Sequence, residues 1–257
     1  DVATNTFDES TAQPFPNGFY IAAATLPDGR VVSPPTSGTR KLVIYTPSTG
    51  SSSDSIDASL SLDNNGWAGA LTLQDGRVMF TPRGSPVADN PKYLLIYDPD
   101  PDPGEPVTKR IPTEQTGEFL YDGNPIQLDD GRVLLVPRDA DYIGLFDPVT
   151  DTFSKGPFVS SADQQFAGGE QLADQRVILN PHDADKFGVF DPLSGTYDPN
   201  GPAAPSTRLP YSTFQTRTPD GRVVLTPSSS DTVDEIIYDF QTRFWSLSVD
   251  NNQFELQ

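Results

Sequence analysis

The chain has 257 residues, a formal net charge of −19 and no cysteine, which excludes disulfides and thiolate metal sites and makes nucleic acid an unexpected partner. The charge is lopsided in kind, with 29 Asp against 7 Glu and 12 Arg against 5 Lys. Such a surface stays hydrated in molar salt, where the Debye length shrinks to roughly 3 Å, so a salt-adapted chain is expected, with an ordinary acidic extracellular protein as the alternative.

The chain opens at Asp1 without Met and reads as processed or trimmed. Its first strand-like stretch, Ala3 to Asp8, has no sheet of its own and is expected to pair with the last part of the chain. A pattern then recurs five times: Leu, two residues, Gly-Arg-Val, an apolar run and Pro. The copies run from Leu26 to Pro34, Leu73 to Pro82, Leu128 to Pro137, Leu172 to Pro181 and Thr218 to Pro227. Their arginines, Arg30, Arg77, Arg132, Arg176 and Arg222, are 47, 55, 44 and 46 residues apart. Each copy is followed by a second apolar segment ending in Tyr/Phe-Asp-Pro or its variant: Leu42 to Pro47, Leu94 to Pro99, Ile143 to Pro148, Phe187 to Pro192 and Ile236 to Phe240. No apolar run approaches the roughly 20 residues of a membrane-spanning helix, so membrane insertion is not expected.

Asp-Gly between two β-type runs predicts a hairpin closed by a type I′ turn. Each copy therefore supplies two strands, the Tyr-Asp-Pro segment a third that Pro terminates, and short segments such as Thr152-Phe153, Thr196-Tyr197 and Thr242 to Trp245 a fourth. Four strands per repeat of this length predict an all-β fold, a five-bladed β-propeller forming one domain over residues 1–257. Its blades span about 15–55, 56–112, 113–158, 159–203 and 204–250, with the N-terminal strand closing the ring. The innermost strands are expected to carry small residues, as at Ala22, Gly69 and Gly168, beside a polar row of Thr25, Thr72, Gln127, Gln171 and Arg217.

The Leu-x-Asp-Gly-Arg-Val…Pro…Tyr-Asp-Pro repeat resembles kelch-like propeller repeats, and most nearly those of phage and archaeal virus structural proteins, over about residues 15–248. With an Asp-rich surface, the resemblance implies a spike or receptor-binding protein of a haloarchaeal virus, located on the virion or outside the cell. Its partners would be a host-surface glycan or protein and other virion or surface proteins in an oligomer. The residues leave two alternatives open: an enzyme acting on glycans, since 36 acids supply many carboxylate pairs, and a structural capsid or scaffold component.

The loops after the second strand and before the first open on one face of a propeller. That face is expected to carry Trp67, Tyr121, Phe166 and Tyr211 with Arg83, Arg138 and His182, a mixture suited to sugar stacking or a protein hot spot. The alternative is that the aromatics plug the channel and pack between blades. His182, the one histidine, reads as a surface loop residue more readily than as a general base. The five motif arginines are expected to pair within their blades with the acids of Tyr-Asp-Pro, Asp98, Asp147, Asp191 and Asp239. No catalytic residue and no cofactor is assigned. Asp98, Asp100 and Asp102 offer calcium-type ligands, but alternating prolines stiffen their loop, and Asp139, Asp141, Asp183 and Asp185 stand at matching places as weaker ion candidates.

Overall fold

The structure is a computed structural model that describes residues 20–36, 41–57, 66–83, 93–113, 120–121, 123–161, 165–201, 211–218, 223–227, 234–239, 243–250 and 253–254. The expected strand at Ala3 to Asp8 lies outside them. Among the described residues every regular element is a strand, and every pairing is antiparallel between neighbours in the chain.

The first sheet holds β1 (Ala24–Thr25), β2 (Val31–Ser33), β3 (Lys41–Thr46) and β4 (Ser51–Asp57). The second holds β5 (Trp67–Thr72), β6 (Val78–Pro82), β7 (Tyr93–Tyr97) and β8 (Thr108–Pro112). The third holds β9 (Ile126–Gln127), β10 (Val133–Leu135), β11 (Tyr142–Asp147) and β12 (Thr152–Phe158). The fourth holds β13 (Phe166–Gln171), β14 (Val177–Pro181), β15 (Gly188–Asp191) and β16 (Thr196–Asp198). A last run joins β17 (Tyr211–Arg217), β18 (Val223–Pro227), β19 (Asp234–Asp239) and β20 (Arg243–Asp250), with β21 (Gln253–Phe254) at its edge.

The core is laid down between consecutive sheets. Strand alternation sends successive side chains of one strand to opposite faces. In β6, Val78 and Phe80 pack toward the first sheet, while Met79 packs toward the third. In β10, Val133 and Leu135 join the second sheet's residues, while Leu134 joins the fourth's. Both faces of these strands are covered, which is why they read as unbroken apolar runs. The repeat leucines face the next sheet: Leu26 packs with Trp67 and Phe80, Leu73 with Tyr121 and Phe146, and Leu128 with Phe166 and Phe190. The inner strand β5 lies so close to the segment leading into β9 that a side chain at Gly69 would run into the carbonyl oxygen of Gly123.

The hairpin turn differs from the expected type I′. Gly29 N–H donates to Leu26 O at 2.9 Å and Leu26 N–H to Arg30 O at 2.7 Å, so three residues, Pro27, Asp28 and Gly29, make the loop. Only the third residue is left-handed, with φ of 86°, 89° and 89° at Gly29, Gly76 and Gly131. This is the three-residue loop in which a type I turn is followed by a left-handed residue. In the fourth copy Gln175 takes that place at φ 73°, a conformation that costs a side chain about 1–2 kcal/mol.

The partner of the motif arginine also differs from expectation. Each described arginine pairs with the aspartate two residues before it. Asp28, Asp75, Asp130 and Asp174 accept the backbone N–H of Arg30, Arg77, Arg132 and Arg176 on one oxygen and the Nε on the other. The turn supplies this carboxylate at fixed distance, leaving no need for the Tyr-Asp-Pro acid. Asp147 and Asp191 instead hold their own turns, accepting the N–H groups of Val149 and Leu193 at 2.8 and 2.9 Å. Arg222 and the side chain of Asp239 lie outside the described residues.

Pre-set by its turn, the guanidinium reaches forward. Arg77 Nη2 donates to Pro148 O at 2.6 Å, and Arg132 Nη2 to Pro192 O at 3.0 Å, each on the following sheet. Arg77 Nη1 also meets Asp151 at 2.8 Å, and Lys109 Nζ meets the same carboxylate at 2.7 Å. Asp151 holds φ at 53° where the matching turns have Gly50 and Gly195. The carboxylate that ties two sheets together offsets the strained backbone. Burial pushes the Asp151 carboxyl up, but Lys109 and Arg77 outweigh it and hold it below its ordinary value.

A carboxyl depressed on folding stabilises the protein above its unfolded pKa of about 3.9, and that contribution disappears as pH falls through the folded value. Arg77→Ala is expected to lower the unfolding free energy by about 1.5–3 kcal/mol at neutral pH. It is also expected to flatten the loss of stability below about pH 4, because the stabilised carboxylate is no longer there to titrate. Urea unfolding of both proteins across pH reads both effects. Gln175→Gly is expected to raise stability by about 1 kcal/mol, measured in the same way.

Candidate functional site

One backbone position recurs on three consecutive sheets at the end opposite the hairpin turns. Arg83 N–H donates to Gly66 O at 3.0 Å, Arg138 N–H to Leu120 O at 3.0 Å and His182 N–H to Gln165 O at 2.9 Å. Each donor follows the second strand of its sheet, and each acceptor directly precedes an aromatic: Trp67 and Phe166 at the starts of β5 and β13, and Tyr121 in a turn ahead of β9. Backbone bonds carry this face from sheet to sheet, with Gly66 N–H on Thr36 O at 2.6 Å and Gln165 N–H on Arg138 O at 2.9 Å. The structure thus puts Arg83, Arg138 and His182 at equivalent, half-buried places on the expected face. His182 Nδ1 lies 3.0 Å from Asp183 Oδ1.

The aromatics do not share that exposure. Trp67, Tyr121 and Phe166 are 0%, 1% and 2% exposed and belong to the three inter-sheet cores. Trp67 packs against Tyr93 at 6.2 Å between ring centroids, Tyr121 against Phe153 at 6.1 Å and Phe166 against Tyr197 at 6.4 Å. The Tyr121 hydroxyl donates to Tyr142 O at 3.2 Å, and burial, with Asp141 adding to it, pushes the phenol far above its ordinary value. A large apolar ring beside a crowded axis gains more from filling the gap between two sheets than from facing water. The expectation of a stacking platform is corrected accordingly for these three. Tyr211 opens β17 opposite Pro227, and its side chain lies outside the described residues.

The expected calcium acids do not converge. Asp98 Oδ1 accepts the N–H of Asp100 at 3.0 Å, and Glu105 N–H closes a turn on Asp102 O at 2.9 Å, so the loop is occupied with its own backbone. Among the described residues no group of three His, Asp or Glu side chains forms a metal-ligand set. No described helix is long and apolar enough to cross a membrane.

One residue outside the expected set is Glu170 on β13. Its place in the repeat is filled by Ala24, Leu71 and Ile126 in the first three copies. Burial pushes the Glu170 carboxyl up, partly countered by the charge of Arg217 on β17. The signal was available as a single acid in a column of apolar residues. Both the column and its burial become visible only once the strand register is known.

No family model and no curated protein matches the sequence. Solved structures do match in shape. A catalytically inactive virginiamycin B lyase from Staphylococcus aureus, with Quinupristin, superposes at TM-score 0.72 and 12% identity over 93% of this chain and 73% of the other. A streptogramin B lyase gives TM-score 0.68 at 12% identity over 93% and 72%. The extracellular domain of a hybrid two component system from B. thetaiotaomicron gives TM-score 0.62 at 10% identity, over 96% of this chain and 31% of that one. These neighbours are β-propeller-like proteins, and at such identities the likeness shows the fold alone.

Because Trp67 is a core residue, Trp67→Ala is expected to cost about 3–5 kcal/mol of stability. Arg83→Ala, on the half-exposed rim, is expected to cost less than about 1 kcal/mol. Denaturant unfolding of the two variants separates the buried layer from the face above it.

Proposed function

We propose that the chain is a five-bladed propeller, closed into a ring, that serves as a non-enzymatic recognition module. Its setting is the surface of a virion or cell in a high-salt environment, and its ligand is a host glycan or protein receptor. The observation that carries this reading is the repetition of Arg83, Arg138 and His182 at one backbone position on three consecutive sheets, half-exposed above a rigid aromatic layer. Backbone fixed by hydrogen bonds under partly exposed polar side chains is pre-organised for binding, since little ordering entropy remains to be lost. The Asp-rich charge of −19 supports the high-salt setting. That some propeller neighbours are extracellular domains supports a place outside the cell.

Binding of the purified chain to a glycan array and to haloarchaeal cells in roughly molar salt tests the reading. Saturable binding that falls at least tenfold in an Arg83→Ala/Arg138→Ala double variant of unchanged fold is the expected result. Binding untouched by the double change would remove this face from consideration.

A second reading, an enzyme acting on glycans, is favoured by Glu170, a partly buried carboxyl held above its ordinary value beside Arg217. Catalytic acids of glycan-cleaving sites are carboxyls whose surroundings hold them above their ordinary value. Release of reducing sugar by the purified chain, lost in Glu170→Gln, would replace the recognition reading with this one.

A further inference from the structure

Three asparagines stand among the described residues, and the residue after each decides its chemistry. Asn124 and Asn180 precede prolines, whose nitrogens carry no hydrogen. Asn200 precedes Gly201, whose amide nitrogen has no side chain to shield it. The pair lies in the turn that leaves β16, at the end of the fourth sheet that also carries His182, and Asn200 is exposed there.

Nucleophile and electrophile are both prepared. The N–H of Gly201 has no acceptor among the described residues, so nothing in the turn retains its proton. Lys186 Nζ donates to Asn200 Oδ1 at 3.3 Å. An ammonium on the amide oxygen draws electrons from Cγ and stabilises the oxyanion that forms there under attack. Asn200 N–H donates to Asp198 Oδ1 at 2.8 Å, which fixes the backbone of the turn.

The hairpin turns are controls within the same chain. Asp28-Gly29, Asp75-Gly76 and Asp130-Gly131 could close the same kind of ring through their side chains. There the N–H groups of Gly29, Gly76 and Gly131 are bonded to the carbonyls of Leu26, Leu73 and Leu128 at 2.9, 3.0 and 3.0 Å. Each aspartate is gripped by its arginine and so kept as a carboxylate, a poor electrophile. The fold that ties down these three leaves Asn200 open.

We propose that Asn200 is a site of spontaneous deamidation through a cyclic imide with Gly201, promoted by Lys186. The Gly201 nitrogen gives its proton to water and bonds Cγ of Asn200, the Cγ–Nδ2 bond breaks, and ammonia leaves. Water then opens the imide at either carbonyl. The net change is amide plus water to carboxylate plus ammonium, with nothing oxidised or reduced. One opening leaves an aspartate, whose carboxylate meets the Lys186 ammonium. The other leaves an isoaspartate, with one more carbon in the main chain. Gly201 packs so tightly on the carbonyl oxygen of Phe187 that no Cβ fits, so the longer chain displaces it. Either product adds a negative charge at the end of the sheet that carries His182. The reaction does not depend on that face binding anything.

Asn65-Gly66 supplies the comparator, because the Gly66 N–H is held by Thr36 O at 2.6 Å. The test is incubation of the full chain in mildly alkaline heavy-oxygen water, in salt that keeps it folded, followed by peptide mapping with mass spectrometry. The Asn200 peptide is expected to take up heavy oxygen at least tenfold faster than the Asn65 peptide. In urea the two rates are expected to converge, since both asparagines precede glycine. Lys186→Gln is expected to slow the conversion at Asn200 severalfold in the folded chain and to leave it unchanged in urea. Equal rates at the two sites in the folded chain overturn the proposal, as does conversion at Asn200 in urea alone. An unchanged folded rate in Lys186→Gln overturns the part assigned to Lys186.

Discussion

The fold rests on one constraint: each middle sheet must bury both faces. A sheet that packed on one side only could place polar residues on the other and stop growing. Here Val78, Met79 and Phe80 are all fully buried, and alternation hands them to different neighbours. No sheet completes its core alone, which makes stability a nearest-neighbour property, as in other repeat architectures. The same constraint makes the inner strands crowd until Gly69 has no room for a side chain. It also draws Trp67, Tyr121 and Phe166 inward, since the gaps they fill open directly onto the core.

Polar chemistry is confined to the ends of the sheets, and there the repeat uses it to set angles between neighbours. The Asp-Gly-Arg turn is a self-contained device: the left-handed third residue turns the chain, the aspartate grips both the backbone and the Nε of the arginine, and the terminal nitrogens are left to aim at the next sheet. Hydrogen bonds from a charged donor to a partly buried carbonyl are among the stronger polar contacts a fold can make. In salt-rich water, where exposed charge pairs are screened, short hydrogen-bonded contacts of this kind keep their value better than separated charges do.

Much of this was legible in the sequence, for reasons that can be named. The spacing of Arg30, Arg77, Arg132 and Arg176 marks the repeat because each turn uses the same Asp and Arg around one left-handed residue. The apolar runs from Val78, Val133 and Val177 marked strands covered on both sides. The two errors share a cause. Each turns on a hydrogen-bond geometry that a string of letters does not carry. Asp-Gly was read as a two-residue turn because the dipeptide is the same in both hairpins, and only the bond from Gly29 to Leu26 separates them. The arginine was assigned to the Tyr-Asp-Pro acid, although an acid two residues away was already in reach. The place of the aromatics along the strand ends is legible in the sequence, but not the choice between an exposed platform and packing between blades, and the second of these alternatives is the one found for Trp67, Tyr121 and Phe166. Depth is fixed by the neighbouring sheet, which contributes Leu26 against Trp67 and Leu73 against Tyr121.

A repeat protein offers its own control for separating structure from function. Residues the fold requires recur in every copy, so a departure that carries a cost asks for a compensating interaction. Asp151 sits in a left-handed conformation where Gly50 and Gly195 sit elsewhere, and Arg77 and Lys109 supply the compensation within the fold. Glu170 replaces apolar residues on an inner strand, and Arg217 answers only part of its cost, since the carboxyl remains above its ordinary value. Tyr97 is no such departure: Tyr45 and Tyr238 hold the same place in the first and fifth copies, and Phe146 and Phe190 in the third and fourth. The departures thus differ in how far the fold compensates them, fully at Asp151 and in part at Glu170. An uncompensated polar group in an otherwise satisfied repeat is a free-energy deficit that a ligand can fill, because the fold has already met the ordering cost of the groups around it.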